Sequence, residues 1–113
     1  MLKRTQLGFW IYVLAVIGVS LLPSRALAGT GSADKLGHFL AYAIMTFWGL
    51  MAFKSRRAAV VIILFSLSLG ITLEYLQQFI SGRDPSVADG LANMLGVLAG
   101  MIFYWLMRIR IGR

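Results

Sequence analysis

Apolar residues along the chain fall into four runs, at 7–22, 36–53, 58–80 and 87–107, separated by short polar breaks. The last three runs are 18, 23 and 21 residues long, within the roughly 17–25 residues that cross a bilayer as an α-helix. The first run, at 16 residues, falls between a signal-peptide core of roughly 7–15 residues and a short span. Two features support a signal peptide: the preceding "MLKR" and the Ala26-Leu27-Ala28 that follows. Phe9, Trp10 and Tyr12 instead suit the aromatic belt of a retained helix. We read it as retained. The pattern predicts an all-α membrane protein: one domain over 1–113, built as a four-transmembrane-helix bundle.

Polar residues inside the runs are ordered. Asp34, His38, Tyr42 and Thr46 step by four along the second run. Ser66, Gly70, Glu74 and Gln78 do so along the third, and Asp89, Asn93, Gly96 and Gly100 make a stripe on the fourth. Steps of three and four place side chains on one helix face. Polar groups avoid lipid, so the three stripes are expected to face one another. Gly96 and Gly100 form a G-x-x-x-G, which lets a neighbouring helix approach closely.

Composition agrees with a membrane chain. Of 113 residues, 59% are hydrophobic and 13% charged, more apolar surface than a soluble domain of this size can bury. There is no cysteine, which excludes disulfides and thiol chemistry. The net charge of +7 is a topology signal and not a nucleic-acid one, because the basic residues sit at the ends of the runs. With the N-terminus in the cytoplasm, eight Lys and Arg lie inside, among them Lys3, Arg57 and Arg113, and three lie outside: Arg25, Lys35 and Arg83. The positive-inside rule therefore predicts both termini in the cytoplasm. All four acids, Asp34, Glu74, Asp84 and Asp89, then fall toward the outer side. The expectation is a polar pocket facing outward near headgroup depth.

The ordered set "DKLGHFLAY" and "EYLQQFISGRDPSVADGLANMLGVLAG" resembles the VanZ-like family of small bacterial integral membrane proteins. The residues that carry the resemblance are Asp34, Lys35, His38, Tyr42, Glu74, Gln77, Arg83, Asp89, Asn93, Gly96 and Gly100. The resemblance implies a multi-pass protein of the bacterial cytoplasmic membrane, linked to the cell envelope and to glycopeptide antibiotic resistance. It also implies work on lipid headgroups or lipid-linked envelope precursors, with membrane lipids as partners.

Chemistry at such a site centres on the one histidine, which can serve as base, acid or nucleophile. Glu74, Asp89 or Asp34 would fix its tautomer and stabilise the imidazolium, so His38, Glu74, Asp89 and Asp34 form the expected catalytic set. Lys35 and Arg83 at the rim suit a lipid phosphate. Asn93 and Gln77 supply further hydrogen bonds, with Tyr42 lining the site. No Walker loop, nucleophile elbow or redox motif is present. The spacing matches no standard metal signature, so no cofactor is expected, although one His with several carboxylates leaves a divalent cation open. Two other readings stand beside the enzyme. One is a non-catalytic binder of lipid or glycopeptide antibiotic. The other is a transporter subunit, which the apolar inner halves of the runs disfavour. Taken by themselves, Tyr42, Thr46, Ser66 and Gln78 read as helix glue, worth roughly 0.6–2 kcal/mol per contact.

Overall fold

The computed structural model describes residues 2–22, 32–80 and 87–111, and within them the side chains other than those of 32–34 and 111. The described residues form four helices and no strand: α1 Arg4–Ser20, α2 Ser32–Ala52, α3 Arg56–Gln77 and α4 Val87–Ile111.

Hydrogen bonding shifts the helix ends away from the limits of the apolar runs. The Lys3 amide donates to Gln6 Oε1 at 3.1 Å, so α1 starts three residues ahead of its apolar run. Ser55, with extended backbone, accepts the Ala58 amide on its Oγ at 3.0 Å. That N-cap starts α3 at Arg56, two residues ahead of its run. α4 continues past 107 to Ile111, with Arg108 and Arg110 in its last turn, where the helix dipole favours cations. α3 closes at Gln77, and a tighter turn follows in which the Ile80 amide donates to Gln77 O at 3.0 Å.

The main packing is α2 against α4, and glycines permit it. A Cβ at Gly96 would collide with the Phe39 carbonyl oxygen, and one at Gly100 would lie 2.5 Å from Ala43 O. The two backbones are therefore closer than any other residue allows. α1 docks through polar pins. Tyr12 Oη donates to Ala41 O at 2.8 Å, Trp48 Nε1 to Thr5 O at 3.0 Å, and Gln6 Nε2 to Ala52 O at 3.1 Å. Phe9, Met45, Leu50 and Val97 are wholly buried between the helices.

Burial runs opposite to that of a soluble bundle. Thr46, Ser66, Gln77, Asp89 and Asn93 are buried, whereas Leu14, Ile71, Phe79 and Ile109 are more than 60% exposed. Among the described residues, two helices are long and apolar enough to cross a membrane: α3, and α4 over 87–110.

Candidate functional site

The N-termini of α2 and α4 and the C-termini of α1 and α3 share one end of the bundle. Gln77 Nε2 ties that end together by donating to Ser20 O at 3.0 Å. Among the described residues, every Lys and Arg except Lys35 lies at the opposite end or in the helix turns beside it. The described acids, Glu74 and Asp89, lie at the first end, as the charge pattern predicted.

Three helices deliver the site. His38 comes from the second turn of α2, Glu74 from the last turn of α3, and Asp89 from the first turn of α4. One ligand-capable atom from each lies within 4.8 Å of the others. Asp89 is 7% exposed and the other two are half-buried. Two carboxylates this close repel each other at low dielectric and favour a positive charge between them. The N-terminal dipoles of α2 and α4 act in the opposite sense, stabilising the carboxylates themselves.

Asn93, one turn below Asp89 and 4% exposed, sets the histidine. His38 Nδ1 and Asn93 Oδ1 are 2.9 Å apart. Oδ1 is a carbonyl acceptor, so the bond places the proton on Nδ1 and leaves the ring lone pair on Nε2. The close approach of α2 and α4 at Gly96 makes the contact, since Phe39 adjoins His38. Gly70 completes it: a Cβ there would lie 3.3 Å from both Asn93 Cβ and the Tyr42 ring.

Beside the cluster, a cavity of about 440 Å³ opens between α3 and α4. Glu74, Gln78, Asn93 and Ser66 are its polar lining, and Leu67, Ile71, Leu91 and Met94 are among its apolar walls. Ser66 Oγ is fully buried with no hydrogen-bond partner among the described residues. Gly90 lines the cavity, and nothing lies within 4 Å of a Cβ built on it.

Of the residues singled out from the sequence, the structure brings His38, Glu74, Asp89 and Asn93 together. Tyr42 is buried one turn deeper, and half-buried Lys35 lies one turn nearer the end of α2. Gln77 is 3% exposed, and its amide nitrogen is engaged by Ser20. Asp34's side chain and all of Arg83 lie outside the described residues. The apolar groove was not foreseen, although small residues at 66, 70 and 90 on the facing helices are its signal.

His38, Glu74 and Asp89 also form the one group of three or more metal-ligating side chains among the described residues whose donor atoms converge. No local motif shows this, because each donor lies on a different helix.

Searches of curated proteins and of solved structures find no match to the chain. The family model described as VanZ/LLP1 matches residues 9–108, a span that takes in α2 and α3 whole, most of α1 and α4, and every residue of the cluster. The chain belongs to the VanZ/LLP1 family.

Proposed function

We propose that this protein is a four-span enzyme of the bacterial cytoplasmic membrane, with both termini in the cytoplasm, acting on a lipid headgroup or lipid-linked envelope precursor in the outer leaflet. The observation that carries the reading is the apolar α3–α4 groove, whose wall includes Glu74 and Asn93 of the His38–Glu74–Asp89–Asn93 cluster. An acyl or prenyl chain fits the walls of Leu67, Ile71, Leu91 and Met94, and its head then lies at the polar end. The volume, about 440 Å³, is within the roughly 300–1,000 Å³ of small-molecule sites.

The chemistry follows from the tautomer. Nε2 of His38 takes a proton from water or from an acceptor hydroxyl, whose oxygen attacks the phosphorus or acyl carbon. The leaving oxygen then recovers that proton from the imidazolium. Glu74 and Asp89 stabilise the imidazolium. Lys35 is the described cation assigned to the phosphate, and Arg83, outside the described residues, is assigned the same task from the sequence alone. A protein that only binds lipid or antibiotic would use the same groove without changing the lipid.

Filling the groove tests this. Gly90→Leu places a side chain in open space and raises helix propensity, so the fold should persist. On two-chain lipids kcat/KM should fall at least roughly tenfold, equal to about 1.4 kcal/mol. Turnover of a short-chain analogue should change little. Equal loss on both substrates would reject the groove as the chain site. Lipid extracts from cells with and without the protein should differ in headgroup composition, and a pure binder predicts none.

Topology has its own check. The chain lacks cysteine, so single cysteines at Ser55 and Gln78, both exposed, report cleanly. Position 78 should label from outside the cell and position 55 only after permeabilisation. The reverse pattern would invert the bundle and put the site in the cytoplasm.

A further inference from the structure

We infer that the cluster is a divalent-cation site, with His38 Nε2 and one carboxylate oxygen each from Glu74 and Asp89 as its protein ligands. The inference rests on the lipid-site reading above and sharpens it, because His38 becomes a ligand and not a free base.

The donor set and its setting argue for a cation. One imidazole nitrogen and two carboxylate oxygens converge within 4.8 Å from α2, α3 and α4. Three protein ligands with open positions are the pattern of catalytic metal centres. Bonds of about 2.0–2.2 Å put tetrahedral ligand atoms roughly 3.3–3.6 Å apart, so the three side chains close by about an ångström or so on loading. Asn93 occupies the orienting position: a metal-bound histidine donates its other ring N–H to an oxygen acceptor, and His38 Nδ1 meets Asn93 Oδ1 at 2.9 Å. The adjoining cavity holds an unmet polar group of its own: Ser66 Oγ, fully buried and without a hydrogen-bond partner among the described residues, lies two turns deeper on α3 than Glu74.

Ligand type narrows the ion. Imidazole with carboxylates suits Zn²⁺ or Mn²⁺. Ca²⁺ takes six to eight oxygens, more than this set provides, and soft-metal chemistry lacks its thiolates because the chain has no cysteine. A cation there also offsets the repulsion between the two carboxylates, one of which, Glu74, lines the cavity proposed for lipid. Bound water would be acidified by the cation, and a lipid phosphate oxygen is a natural additional ligand.

The test measures metal directly, so it does not depend on turnover. The full chain is purified in detergent on a tag without histidine, stripped with chelator, titrated with Zn²⁺ or Mn²⁺, desalted and analysed for metal by mass spectrometry. Wild type should retain stoichiometric metal and melt at a higher temperature when loaded. His38→Ala and Asp89→Asn should retain background levels, and Asn93→Leu should bind roughly 10–100-fold more weakly. Gly90→Leu, which lies outside the donor set, should bind as wild type and serves as the folded control. Wild type without stoichiometric metal, or Asp89→Asn binding as wild type, overturns the site. Lipid turnover that survives chelation but is lost in His38→Ala would overturn the metal and leave the lipid reading standing. Metal binding without any change in lipid would do the reverse.

Discussion

Gly96→Val should disrupt the bundle more than any other single substitution among its glycines. A Cβ there meets the Phe39 carbonyl oxygen, part of the α2 backbone, and then the Tyr42 Cβ at 3.1 Å. Neither atom is the far end of a flexible side chain, so α2 and α4 must separate. The cost should reach or exceed the upper end of the roughly 1–3 kcal/mol typical of overpacking. The bulkier β-branched side chain adds to the displacement. Gly100→Val should follow it closely, for the same reason at Ala43 O. Gly37→Ala is the internal control: a Cβ there meets nothing within 4 Å, and a helical glycine replaced by alanine gains up to about 1 kcal/mol. Thermal unfolding in detergent reads all three. Gly96→Val melting with Gly37→Ala would mean that the helices do not approach as closely as described.

His38→Ala should remove activity almost entirely, a loss on the order of 10²–10⁴-fold if His38 is the base and at least as large if it holds a metal. Asn93 discriminates positioning from direct participation. Asn93→Leu keeps the branched shape but deletes the acceptor for Nδ1–H, so the ring loses its fixed tautomer and orientation. Asn93→Asp keeps an acceptor at the same place and should restore much of what Asn93→Leu loses. That ordering is read in kcat, with both proteins shown to be folded by their melting profiles. Equal loss in the leucine and aspartate variants would mean that the 2.9 Å contact to His38 is packing alone.

Sequence periodicity carried much of this arrangement, because helices impose it. Steps of four on α2 and α3 placed His38 and Glu74 on inward faces, and Gly96 and Gly100 announced a close helix contact without naming α2 as the partner. Other features depend on information that no local window holds. Gln77 and Gln78 are adjacent and chemically identical, yet only Gln77 reaches Ser20 O, while Gln78 is exposed. The rotation of α3 decides between them, and packing sets that rotation. The attachment of α1 rests on Gln6, Tyr12 and Trp48 reaching backbone carbonyls of another helix, and a carbonyl has no sequence signature. The groove between α3 and α4 escaped for a related reason: it is a space left where Ser66, Gly70 and Gly90 are small, and spaces are properties of pairs of helices. Convergence of three donors was foreseeable as stripes facing one another, but their separation was not.

The central claim is that this cluster transforms a lipid. The most direct measurement reconstitutes the purified chain, with metal supplied, into vesicles of mixed phospholipids and polyprenyl-phosphate lipids, and follows headgroup release or exchange. Wild type should change an anionic lipid of the outer-facing leaflet, and His38→Ala, incorporated to the same extent, should not. If His38→Ala matches wild type wherever wild type is active, or if wild type alters no lipid in the panel, the cluster does not do the chemistry assigned to it.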